Sequence, residues 1–137
     1  MAVKPHIRHL TLVFGAGCLG ALANSLAAWL LGLYGITRAL GVNLAPALSP
    51  AWLYPRLVWG GIWGLLFLLP IYRNRPWRQG LLLSLGPTLV QLFVVFPYKA
   101  HRGMMGLGLG ALTPFFVILL NAVWGMVTAL WLRTLRD

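Results

Sequence analysis

Residues 10–37, LTLVFGAGCLGALANSLAAWLLGLYGIT, carry no Asp, Glu, Lys or Arg. A helix rises about 1.5 Å per residue, so about 20 apolar residues cross the roughly 30 Å of hydrocarbon in a bilayer. This run exceeds that length. Residues 57–72, 79–98 and 103–132 are equally free of ionic side chains. The last two also pass the length test. The run 57–72 has only 16 residues, about 24 Å of helix, so a helix there must begin before Arg56.

Local signals supply the missing turns. Ser49-Pro50 reads as an N-cap followed by proline in the first turn, which starts a second helix at Pro50 and carries it to Tyr72. Pro76 opens a third helix, leaving Arg73, Asn74 and Arg75 as a tight turn between antiparallel neighbours. Thr113-Pro114 repeats the start signal, so Gly103–Gly110 reads largely as a connection. The expected fold class is all-α: a polytopic membrane protein, one membrane-embedded domain over 1–137, with a bundle of four transmembrane helices at about 10–34, 50–72, 76–98 and 111–133. Gly86-Pro87 predicts a kink in the third helix. In the long first connection, Ile36, Leu40 and Leu44 at four-residue spacing suit a short amphipathic helix on the surface; a re-entrant segment is the rival reading.

Composition agrees. The chain of 137 residues is 60% hydrophobic and 9% charged, against about 25% charged in soluble domains. Its net charge of +10 arises because eleven Lys and Arg are opposed by one acid, Asp137. A nucleic-acid binder would gather such a surplus on a wet face, whereas here the cations border apolar runs, where they meet anionic headgroups. The expected partners are therefore the lipid bilayer and its anionic lipids, not nucleic acid.

Lys4, Arg8, Arg73, Arg75, Arg78, Arg133 and Arg136 fall on one side of the four-helix arrangement, and Arg38, Arg56, Lys99 and Arg102 on the other. The excess of Lys and Arg marks the cytoplasmic side, giving N-in/C-in. Interfacial aromatics match: Tyr34, Trp52, Tyr54 and Tyr98 at one surface, Tyr72, Trp77 and Trp131 at the other. A multi-pass protein of the cytoplasmic (inner) membrane, compatible with a bacterial source, is the expected location.

Several patterns look like chemistry and read otherwise. Gly15, Gly17 and Gly20 spell G-x-G-x-x-G, but a dinucleotide fingerprint needs a strand-to-helix turn and a later acid, and this one lies within an apolar span. Gly15-Ala16-Gly17-Cys18 resembles a lipoprotein cleavage box, yet the apolar run continues past Cys18, so an uncleaved helix is expected. His6, His9 and His101 have no Cys, Asp or Glu at ligand spacing, and no carboxylate can orient a histidine as a base. No catalytic residue, metal site or cofactor is expected.

Small residues four apart let helix backbones approach closely in lipid. Gly17, Ala21 and Ser25 form one such face, Gly20, Asn24 and Ala28 a second, Gly60 and Gly64 a third, and Gly125 lies beside Asn121. Three amides, Asn24, Gln91 and Asn121, fall near mid-membrane and should bond across helices, Asn24 facing Asn121. Arg56 lies inside the second helix with no acid to neutralise it; Trp52 or Trp59 is positioned to stack on it, and snorkelling toward lipid phosphate is its default. Arg56 with Lys99, His101 and Arg102 forms the candidate anion or lipid-headgroup site.

The primary functional expectation is a non-enzymatic membrane subunit or accessory protein acting through its helix faces, as a homo-oligomer or within a larger membrane complex. The rivals are a small oligomeric transporter or channel for anions or neutral solutes, and a lipid-binding or lipid-handling protein.

Overall fold

The computed structural model describes residues 4–72 and 74–135, which are helical with no β-strand among them. Arg73 and Arg136, counted above as cytoplasmic cations, and Asp137 lie outside the described residues. Three helical stretches are long and apolar enough to cross a membrane: Pro5–Leu33, Pro76–Lys99 and Thr113–Leu135.

Helix α1 spans Pro5–Leu33 with proline in its first turn. It ends at Gly35, whose left-handed conformation (φ 73°) lets its N–H return to the Gly32 carbonyl. A four-residue helix α2, Ile36–Ala39, follows. Ile36 and Leu40 are exposed, and Thr37 and Val42 are the residues that turn inward. Helix α3 runs from Pro50 to Gly64, its start capped by Ser49, whose Oγ accepts from the Trp52 N–H at 3.3 Å.

The second helix does not continue to Tyr72. It tightens into a 3₁₀ turn at Leu65–Leu68 and then becomes extended, Leu69 having ψ 136°. Pro70 explains this stop, because a proline ring disfavours the helical conformation in the residue before it. The third stretch is one rod in three pieces: α4 (Pro76–Leu83), α5 (Leu85–Val90) and a π-helical segment, Gln91–Lys99. The break sits at Ser84, one turn before Pro87, whose ring displaces the Leu83 carbonyl. Hydroxyls add bonds around the break: Ser84 Oγ donates to the Leu81 carbonyl at 2.8 Å and Thr88 Oγ1 to the Ser84 carbonyl at 2.7 Å. The connection to the last helix is a 3₁₀ stretch, Met104–Leu109, with left-handed Met105 and Gly106. Helix α6 is Thr113–Leu135.

Helix α1 lies between α3 and α6, and α6 packs on its other side against α4. Glycines set each contact. A Cβ on Gly60 would lie 2.9 Å from the Gly17 carbonyl oxygen, and one on Gly17 would lie 2.9 Å from the Gly64 Cα. A Cβ on Gly20 would lie 2.6 Å from the Trp124 carbonyl oxygen of α6. Gly125 faces away from the Gly20 side and meets Gly80 of α4, where a Cβ on Gly80 would lie 2.6 Å from the Gly125 carbonyl oxygen. Around these contacts Val13, Ala16, Phe67, Leu83, Trp124 and Leu132 form a core, with Phe67 edge-on to Trp124 at 5.8 Å.

Polarity is inverted relative to a water-soluble protein. Ser25, Gln79, Thr88, Thr113, Asn121 and Thr128 are buried, whereas Val58, Trp59, Leu89, Val94, Phe115 and Ile118 are exposed. That distribution suits a hydrocarbon solvent, which leaves buried polar groups to find one another.

Gly17→Ala should lower the thermal unfolding midpoint in detergent by the equivalent of about 1–3 kcal/mol, the usual cost of overpacking. Gly15→Ala, where a new Cβ meets nothing within 4 Å, should leave the midpoint unchanged or raise it. Equal loss in both variants would contradict the packing described.

Candidate anion-binding site

Because α3 begins at Pro50, Arg56 stands in its second turn, beside the part of α1 that carries Asn24 and Ser25. Close glycine contacts hold α1 and α3 together, and Arg56 turns inward across that seam. Its Nε donates to Ser25 Oγ at 2.9 Å and its Nη2 to Asn24 Oδ1 at 2.6 Å. Trp52, one turn earlier on the same helix, lies under the guanidinium, 4.7 Å from Cζ to the ring centroid. Trp59 is exposed and takes no part.

The amides continue the network. Asn24 Nδ2 donates to the Leu120 carbonyl at 2.7 Å and faces Asn121 Oδ1 at 3.4 Å. Asn121 Nδ2 donates to Thr88 Oγ1 at 3.1 Å and lies 3.3 Å from Gln91 Oε1. Thr88 in turn donates to the Ser84 carbonyl at the helix break. Donor follows donor from the cation to a backbone carbonyl, so each dipole supports the next.

The network is neutral apart from Arg56. Asp137, the only acid in the sequence, lies outside the described residues, so the guanidinium has no carboxylate partner among them. Two of its N–H groups are bonded within the protein. A guanidinium carries five, so three have no partner among the described residues.

Beside Arg56 lies a cavity of about 510 Å³. Trp52, Gln91, Thr37, Asn43 and Arg102 bring polar groups to its lining, and Leu31, Phe96, Phe116 and Leu120 give it apolar walls. Of the four residues grouped in the sequence, the structure brings Arg56 and Arg102 to this cavity. Lys99 and His101 are exposed and do not line it. The left-handed conformation of His101 (φ 55°) turns the chain at that point.

Asn24, Gln91 and Asn121 form one cluster with Arg56, a connection the sequence reading did not make. Ser25 and Thr88 were missed as members. Thr88 precedes Gln91 by three residues, a spacing that puts both on one helical face, and this was the available signal. Gly17, Gly20, Ala21, Gly60, Gly64 and Gly125 all pack within the chain. Two buried polar groups stand outside the network: the Gln79 amide and the Thr113 hydroxyl have no hydrogen-bond partner among the described residues.

The residues that line the cavity bring two guanidinium side chains, Arg56 and Arg102, together with the Gln91 and Asn43 amides. No protein family model, curated protein or solved structure matches the chain.

Asn24→Leu keeps the volume but removes one acceptor from the half-buried guanidinium, and should cost about 1–3 kcal/mol of stability in a denaturing-detergent titration. Gln79→Met removes an amide without partners and should leave stability unchanged or raise it by about 1–3 kcal/mol. The reverse order would refute the network.

Proposed function

We propose that this chain is a four-span protein of the cytoplasmic membrane, N-in/C-in, that binds an anionic ligand at a site built on Arg56. The single observation that carries this reading is a half-buried guanidinium that uses two of its five N–H groups on partners among the described residues, beside a cavity and without a carboxylate among those residues. An unpaired cation in such surroundings is costly, and a bound anion removes the cost.

Support for four spans comes from α3 with its 3₁₀ extension, Pro50–Leu68, which lies alongside α1 as an apolar rod. Lys4, Arg8, Arg75, Arg78 and Arg133 then share one side, the cytoplasmic one by the cation excess, and Arg56 and Arg102 open toward the other.

The expectation of a subunit acting through its small-residue faces loses its motive, since those faces are used in contacts within the chain. A channel along the bundle axis is not favoured either. Beyond the amide network, Phe67 and Trp124 fill the space between α1 and α6.

Binding is checked by the thermal shift of the purified protein in zwitterionic detergent on adding inorganic phosphate or short-chain phosphatidylglycerol. A ligand selective for the folded state at 100 times its Kd stabilises by about 2.7 kcal/mol, a shift of several degrees. At least one probe should give that shift, and Arg56→Gln should abolish it. No shift with either probe, or an equal shift in the variant, would overturn the proposal.

A further inference from the structure

Loop residues line one end of the cavity, among them Asn43, Leu44 and Leu109. Over it, the two connections facing away from the cytoplasmic end are knit together: the Asn43 N–H donates to the Leu109 carbonyl at 2.8 Å, and Gly110 abuts Gly41 so closely that a Cβ there would lie 3.0 Å from the Val42 Cα. Val42 is 1% exposed, and Thr37 Oγ1 donates to the Leu44 carbonyl at 2.6 Å, pinning the loop from beneath. Behind Leu109, the Gly108 N–H donates to the Arg102 carbonyl at 2.7 Å.

Helix α3 contributes Trp52 and Arg56 to the cavity, and the π-helical segment contributes Gln91, Phe96 and Ala100. Deeper in the bundle, Trp63 and Leu66 pack against Gly86 of α5. The outward residues of these elements are large and apolar or interfacial: Trp59 is 58% exposed, Val94 52% and Tyr98 71%. Residues so disposed contact lipid, with tyrosine and tryptophan at headgroup depth.

We infer that the site takes one anionic phospholipid, whose phosphate sits on Arg56. This rests on the anion-binding reading above and names its ligand. Two features select a lipid over a free phosphate. The cavity, about 510 Å³, falls in the size range that encloses whole small molecules, of roughly 300–1,000 Å³. Its lining is amphiphilic, with Arg56, Gln91 and Arg102 for a headgroup and Phe96, Phe116 and Leu120 for the chains that follow it.

The guanidinium offers the geometry a phosphate needs, since N–H groups on adjacent nitrogens form a fork that donates to two oxygens at once. Lysine at the same place keeps the charge and loses the fork. Trp52 holds the plane of the fork from below, and Ser25 and Asn24 fix its rotation.

The test is native mass spectrometry of the full chain released from nanodiscs containing phosphatidylglycerol and phosphatidylcholine in equal amounts, with and without inorganic phosphate as competitor. One phosphatidylglycerol should be retained per chain, roughly tenfold or more over phosphatidylcholine, and millimolar inorganic phosphate should not displace it. Arg56→Gln should abolish the preference, with Arg56→Lys intermediate. Arg102→Gln, at an exposed position, should reduce it severalfold, and it serves if the Arg56 variants do not fold. Displacement by inorganic phosphate, with binding still dependent on Arg56, would overturn the lipid inference and leave the anion site standing. Retention of either lipid without preference, together with no phosphate binding, would overturn both.

Discussion

A half-buried guanidinium with no carboxylate partner among the described residues governs this structure. Hydrocarbon or a dry protein interior penalises an isolated charge by several kcal/mol, and the usual remedy is a nearby acid. This chain has one acid and eleven basic side chains, so the remedy is made of dipoles. Ser25 and Asn24 accept from Arg56, Trp52 presents its ring face, and Asn24 draws on the amide of Asn121 and through it on Thr88. Four helical elements meet at this network, so the same hydrogen bonds that solvate the cation also fix how the helices are rotated about their axes.

Backbone contacts complement it. Gly17 with Gly60 and Gly64 brings α1 and α3 close enough for Arg56 to reach across to α1, and Gly20 does the same for Asn24 and α6. Neither feature works alone. Without the glycines the polar groups would be too far apart to bond, and without the bonds close packing between apolar helices has no hydrophobic drive in lipid to set its register.

Much of the fold was legible because absence of charge is a strong signal: three long helices coincide with stretches that lack ionic residues. Punctuation was legible at Ser49-Pro50, where the cap forms, and was overlooked at Leu69-Pro70, where the chain leaves the helix. The pairing of Asn24 with Asn121 followed from their matching depth. Rotational phase was not legible. Whether Arg56 snorkels outward or turns in depends on which face of α3 meets α1, and that is set by glycine contacts between segments far apart in sequence. The same reason hid the role of Gly80, whose partner Gly125 lies on another helix. Lys99 and His101 were grouped with Arg102 by adjacency alone, and the left-handed turn at His101 separates them.

The site and the fold are thus one object, which makes the inward orientation of Arg56 the claim to measure. Solid-state NMR of the selectively labelled protein in bilayers can read the distance from the Arg56 guanidinium nitrogens to the Asn24 side-chain carboxamide carbon. The account predicts a dipolar coupling that corresponds to direct hydrogen bonding, about 3–4 Å. A guanidinium that shows no coupling to Asn24 and instead exchanges freely with water at the membrane surface would contradict it.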